Sequence, residues 1–174
     1  MPSSRSLYLV RHGLASDRGP TWPLDADRPL TDEGIAQLRR QFKGLRELEP
    51  TIDAILTSHL VRAAQTADLL ASACDGKPPI TVTAALRPEA DASEILAELS
   101  AFVRASGVAL VGHEPSIGVI AGAVLGVRRP EPRAEILRIA ATKRARVLRL
   151  GADARYAART VDASGTTFHL ATGS

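Results

Sequence analysis

The 174-residue chain contains one cysteine, Cys74, and its aromatic residues amount to one Trp, two Tyr and three Phe. A lone cysteine cannot close an internal disulfide. This excludes a secreted disulfide framework and a Cys-rich zinc module, and makes a reducing cytosol the expected compartment. No apolar run approaches the roughly 18 residues of a membrane span, and Met1 to Ser6 lacks the basic-then-apolar order of a signal peptide. The expected location is cytoplasmic, with no membrane partner. Apolar residues are not scarce, at 45% against 24% charged, so the composition is that of one soluble globular domain spanning 1–174. At this length roughly 70% of the unfolded chain's surface is buried on folding, and neither a disulfide nor a structural metal is needed to hold a core.

The net charge of +3 is unevenly spread. Residues 128–159 carry ten basic against three acidic residues, a net +7, which leaves −4 for the rest. Such a segment could meet polyanions. Its basic residues alternate with apolar ones and few aromatics accompany them, so it reads as a solvated face, and no nucleic-acid partner is expected.

Two kinds of segment alternate along the chain. Ser6–Val10 is a short β-prone run. The stretch from Gly13 to Pro29, rich in Gly, Pro and Asp, has no apolar periodicity and is a loop of a length that is uncommon unless functional. Thr31 is a natural N-cap for a helix whose apolar face is Ile35, Leu38, Phe42 and Leu45. A strand over Ala54–Ser58 and a helix from about Leu60 to Ala73 follow. Next come a strand over Ile80–Leu86 and a helix capped by Asp91 and Glu94 that carries Ile95, Leu96, Leu99, Phe102 and Val103. Val108–Val111 is a fourth strand, and Pro115 opens a helix bearing Ile117, Ile120 and Val124. Further on, Ala145–Leu150 and Thr167–Ala171 resemble strands, and Glu135–Ala140 suits either type. The order predicts an α/β three-layer αβα sandwich with a mostly parallel sheet.

In such sheets ligands bind beyond the carboxyl ends of the strands. Those ends carry Arg11-His12-Gly13, Ser58-His59-Leu60-Val61-Arg62, Arg87-Pro88-Glu89-Ala90-Asp91 and Gly112-His113-Glu114-Pro115. His12 and His113 thus converge with Arg11, Arg62 and Arg87 on one edge. Arginine is a planar, permanently charged fork that suits phosphate, and a neutral imidazole among cations is a competent nucleophile toward phosphorus. Rival motifs fail. Gly13 stands alone, so no dinucleotide fingerprint follows the first strand, and Gly76-Lys77 is followed by Pro78 where a P-loop needs Ser or Thr. Glu114 occupies the place of the first glycine of a nucleophile elbow around Ser116. His113-Glu114 lacks a second His at Ile117, and His12, His59, His113 and His169 show no metal-ligand spacing. No metal and no cofactor is expected.

Tyr8-Leu9-Val10-Arg11-His12-Gly13 resembles the signature of the histidine phosphatase superfamily, with its phosphoglycerate-mutase-like fold. Three further matches occur in that family's order: Arg28-Pro29-Leu30-Thr31 with a helix opened by Gly34, the run from Ser58 through Leu60 and Arg62-Ala63 to Gln65-Thr66-Ala67, and Val111-Gly112-His113-Glu114-Pro115. The short chain and the Arg-Pro-Leu-Thr element are similar to the SixA-type phosphohistidine phosphatases. The resemblance implies that His12 takes the phosphoryl group, that Arg11 and Arg62 hold its oxygens and that His113 donates to them. Gly13 belongs to the same signature, and Arg28 would add a contact from the long loop. Ser58 either bonds the phosphate or caps its helix. His59 stands where the family usually has Pro and is expected at the rim.

Branches that cleave phosphate esters usually place an acid after the third strand, because an alkoxide leaves poorly unless protonated. Glu89 and Asp91 lie there without the mutase branch's surrounding pattern, and Asp91 has a simpler role as helix cap. A phosphoramidate leaves more easily. The favoured expectation is therefore a metal-independent phosphatase acting on protein phosphohistidine, such as a phosphorylated histidine-phosphotransfer domain, with Glu89 the candidate acid if the substrate is instead a small phosphorylated metabolite. A third reading, from another class, is a non-catalytic module that binds phosphoprotein or polyanion.

Overall fold

The computed structural model describes residues 6–47, 49–124, 147–151, 157–161 and 167–171. Four βα units come first: β1 Ser6–Arg11 and α1 Asp32–Arg46, β2 Ala54–Thr57 and α2 Val61–Ala73, β3 Ile80–Val82 and α3 Ala92–Glu98, β4 Gly107–Gly112 and α4 Ser116–Val124. Three strands follow, β5 Val147–Gly151, β6 Ala157–Val161 and β7 Thr167–Ala171. They form one sheet of order β3-β2-β4-β1-β5-β6-β7. The first four strands pair in parallel, as expected. The last three extend the sheet antiparallel from the far edge of β1, so the parallel half is the part built from βα repeats.

The apolar runs of β2 and β4 are buried along their whole length, as central parallel strands covered on both faces must be. Alternation along each strand sorts the core into two clusters. Tyr8, Val10, Ile55, Ala109 and Val111 face Leu38, Phe42 and Leu45 of α1 and Ala63, Ala67 and Leu70 of α2. Leu9, Leu56, Val108 and Leu110 face Ile95 of α3 and Ile117, Ile120 and Ala121 of α4. β1 and β4 are neighbours in register, Arg11 opposite Gly112. The helix after β1 packs on one face and the helix after β4 on the other. Diverging connections of this kind open a crevice at the carboxyl ends of the two strands.

Several expectations need correction. The third strand ends at Val82, not Leu86: the Thr83 hydroxyl accepts from the Ala85 amide at 3.0 Å and donates to Glu98 at 2.7 Å, turning Ala84–Leu86 into a 3-10 turn. α3 stops at Glu98 and continues as a 3-10 turn over Leu99–Phe102. Ile95 is its one fully buried residue, while Leu96 and Val103 are exposed. β6 was not anticipated. Glu135–Ala140 and most of the basic segment lie outside the described residues. Among the described residues no helix is long and apolar enough to cross a membrane.

The long loop between β1 and α1 is pinned at its neck. Ala15 bridges Leu30, the Ser16 amide donates to Pro29 O at 2.8 Å, and the Thr31 amide donates to Leu14 O at 2.9 Å. Thr31 caps α1 by accepting from the Gly34 amide at 3.0 Å. A Cβ on Gly34 would collide with the Leu14 carbonyl oxygen, so this glycine permits the close approach of the loop to the helix start.

Candidate active site

The sheet ladder places the expected histidines side by side. The His12 amide donates to Gly112 O at 3.0 Å and the Ser58 amide to Val111 O at 3.1 Å, which carries the parallel pairing one residue past β1 and β2. His12 and His113 then face each other with ring centroids 5.0 Å apart and planes tilted by 55°.

His12 Nδ1 lies 2.7 Å from the carbonyl oxygen of Gly13. A carbonyl only accepts, so Nδ1 carries the proton and the lone pair sits on Nε2. Arg62 Nε donates to that Nε2 at 3.3 Å. Burial, assisted by the charges of Arg62, Arg11 and Arg28, lowers the His12 pKa from 6.5 to about 4, against the pull of the Gly13 bond. The imidazole is therefore neutral at pH 7, the form a nucleophile needs. His113 is 2% exposed, and neither of its ring nitrogens has a hydrogen-bond partner among the described residues. Burial, then His12 and Arg62, lower its pKa to about 3. A buried imidazole without a partner is costly, and an oxygen-rich ligand would satisfy it.

Arg62, in the first turn of α2, is 4% exposed. Its remaining two nitrogens go to a residue that sequence reasoning missed. Nη1 donates to the Asp25 backbone carbonyl at 2.6 Å and Nη2 to Asp25 Oδ2 at 2.8 Å. Asp25 belongs to a 3-10 turn, Asp25–Asp27, near the far end of the long loop. Its Oδ1 is 3.2 Å from Arg28 Nε and 3.8 Å from Arg18 Nη2. The hydrogen bond from Arg62, then the charges of Arg62, Arg28 and Arg18, hold the Asp25 carboxyl below its usual range. Two further residues of α2 share this face at helical spacing from Arg62. Thr66 Oγ1 accepts from the Gly13 amide at 3.2 Å and donates to Arg62 O at 2.7 Å, and Gln65 Oε1 accepts from the Leu30 amide at 2.7 Å. The i, i+3, i+4 spacing of Arg62, Gln65 and Thr66 was the readable signal. For Asp25 the signal was only its position three residues before Arg28.

Arg11, His12, Gly13, Arg28, Arg62 and His113 are thus brought together. Arg11 also acts on Glu114, whose pKa burial raises against the opposing charge of Arg11. Ser58 is fully buried and its hydroxyl accepts from the Leu60 amide at 3.4 Å, in keeping with the capping alternative. His59 is exposed, at the rim. Arg87 leaves the cluster: its guanidinium forks onto Glu94 at 2.9 and 3.1 Å. Glu94 in turn accepts from the Asp91 amide at 3.1 Å while Asp91 accepts from the Ser93 amide at 2.8 Å, so both acids are occupied by a capping box. Glu89 is exposed, acts on Arg87, and is not among the charges that perturb His12 or His113.

Comparison with known proteins gives the family. Residues 7–95 match the family model of the histidine phosphatase superfamily, branch 1. The chain is 39% identical over 120 residues to an uncharacterized protein of Picosynechococcus sp., covering 68% of this chain and 72% of that one. It is 38% identical over 72 residues to the mitochondrial serine/threonine-protein phosphatase Pgam5 of Drosophila grimshawi, a match that covers 41% of this chain and 24% of Pgam5. The chain therefore spans about a quarter of the length of that relative. Among solved structures it is similar to the protein histidine phosphatase SixA complexed with tungstate, with TM-score 0.69 and 22% identity over 95% of this chain and 94% of that one. Fold and family match agree, and the chain is a phosphatase that belongs to the histidine phosphatase superfamily.

Proposed function

We propose that the chain is a metal-independent phosphatase that works through a phosphohistidine on His12 and acts on protein phosphohistidine. The observation that carries this reading is the geometry at His12: its Nδ1 faces the Gly13 carbonyl, which leaves the Nε2 lone pair without a proton and directed toward Arg62. His12 Nε2 attacks phosphorus, the P–N bond of the substrate breaks, and the departing imidazole takes a proton from solvent. Water then attacks the phosphoryl group on His12, releasing inorganic phosphate and regenerating the imidazole. Arg11, Arg28 and Arg62 hold the equatorial oxygens, and His113 donates to the charge that develops on them.

An alkyl ester needs a proton donor for its leaving oxygen. The carboxylate against the Arg62 fork, Asp25, is held ionised by that arginine. Asp91 is committed to its cap, and Glu89 stands with Arg87. The commitments of these three carboxyls favour P–N over P–O bonds, and Glu114, whose pKa burial raises, is the carboxyl near the histidines that remains for an ester. The test compares a phosphorylated histidine-phosphotransfer protein, an alkyl phosphate and an aryl phosphate as substrates for wild type, His12→Ala and Glu89→Gln. Expected are loss of all turnover in His12→Ala and near wild-type phosphohistidine hydrolysis in Glu89→Gln. An enzyme that prefers the alkyl ester and loses roughly 100-fold on it in Glu89→Gln would be a metabolite phosphatase instead.

A further inference from the structure

The arginine donors assigned above to phosphoryl oxygens are engaged by a carboxylate of the same chain. Asp25 takes two of the three Arg62 nitrogens through its backbone carbonyl and Oδ2. Its Oδ1 stands 3.2 Å from Arg28 Nε, a contact whose alignment leaves that buried nitrogen without a hydrogen bond among the described residues. The third Arg62 nitrogen donates to His12 Nε2. A lone pair that accepts this hydrogen bond cannot at the same time attack phosphorus. The arrangement is self-consistent as a resting site and incompatible with the first step of the reaction.

We propose that Asp25 is a specificity-determining internal anion, which a phosphoryl dianion displaces from Arg62 and Arg28 and a monoanion does not. Exchange replaces one negative charge by two between the same guanidinium groups, so Coulomb attraction favours the dianion. It also gives Arg28 an oxygen better placed than Oδ1 and draws the Arg62 Nε–H away from His12, freeing the nucleophile. A monoanion with the same three oxygens, such as a sulfonate, gains no charge in the exchange. The segment that must move is lightly held. Beyond the neck formed by Ala15 and Leu30 it has a turn in which the Gly19 and Trp22 backbones bond each other and the 3-10 turn Asp25–Asp27, none of whose residues is buried. The Asp25 side chain is 36% exposed, so a path outward exists.

The inference rests on the assignment of Arg62 to the phosphoryl oxygens, and the test separates the two. Binding of inorganic phosphate and of methanesulfonate is measured by calorimetry at about pH 8, where phosphate is dianionic, for wild type, Asp25→Asn and Arg62→Ala. Asp25→Asn should bind phosphate at least about ten-fold more tightly, and should acquire methanesulfonate affinity that the wild type lacks. Equal or weaker phosphate binding in Asp25→Asn, with affinity lost in Arg62→Ala, would mean that Asp25 merely orients the arginine, and would overturn the exchange alone. Affinity unchanged in Arg62→Ala would remove both readings. A second measurement uses the unaltered protein. Trp22 is the one tryptophan of the chain and belongs to the segment that moves, so its emission should shift as phosphate saturates the site. Saturation without a shift would overturn the displacement.

Discussion

The histidine environments set the acid limit of the enzyme. A solvent-exposed imidazole would protonate near 6.5, and a site that depended on it would lose half its activity there. The His12 pKa of about 4 moves that limb well below 6.5, so kcat/KM referred to the dianionic fraction of the substrate, whose own second ionisation lies near pH 6, should stay level from pH 7 to about pH 5 and fall with a midpoint near 4. Stability falls in the same direction, and begins to do so at higher pH. Below pH 6.5 the unfolded chain takes up protons on His12 and His113 that the folded chain refuses until about pH 4 and 3, so folding stability is lost across that window as pH falls. At about 1.4 kcal/mol per unit this is on the order of 3 kcal/mol for His12 and up to about 5 kcal/mol for His113, as an upper bound. That is a large share of the roughly 5–15 kcal/mol that holds a domain. The assay is initial-rate kcat/KM on an aryl phosphate between about pH 4 and 8, paired with urea unfolding at each pH. His113→Asn should recover part of the stability lost in acid. An acid limb with its midpoint at 6.5 in protein that is still folded would refute the reasoning, because it would require His12 to be solvated and free of its arginine neighbours.

Other perturbations read other contacts. Thr66→Val removes the hydroxyl that accepts from the Gly13 amide, leaving a buried donor unpaired; urea unfolding should register a loss of about 1 to 3 kcal/mol, and kcat should fall more than KM rises because the Gly13 carbonyl fixes the His12 tautomer. Arg62→Lys cannot reach His12 and both Asp25 acceptors at once, so kcat/KM should drop roughly 100- to 1000-fold, and a near wild-type rate would reduce Arg62 to diffuse charge. Gly34→Ala drives a methyl group into the Leu14 carbonyl and should cost about 1 to 3 kcal/mol or more in thermal or urea unfolding.

What was readable in the sequence was what local periodicity encodes. The caps Thr31 and Asp91 and the apolar faces of α1, α2 and α4 depend on neighbours a few residues away, and they lie where the pattern places them. The strand-end residues His12, Arg62 and His113 were legible because a parallel sheet brings all its carboxyl ends to one edge. β6 was not, since Ala157–Val161 has neither apolar alternation nor a turn signal and gains its conformation by pairing with β5 and β7. β3 was read too long because Thr83 is β-prone in isolation, whereas here its hydroxyl bonds to Ala85 and Glu98. Asp25 escaped notice for a similar reason: an aspartate in a Gly- and Pro-rich loop reads as turn chemistry. Its partner Arg62 lies 37 residues away.

Transfer of the phosphoryl group to His12 is the step on which every assignment depends. Rapid-quench mass spectrometry during turnover should find a phosphoryl group on His12, labile in acid and stable in alkali, and none in His12→Ala. Label found only on a serine, or steady-state turnover with His12 unmodified at every quench time and undiminished in His12→Ala, would contradict it.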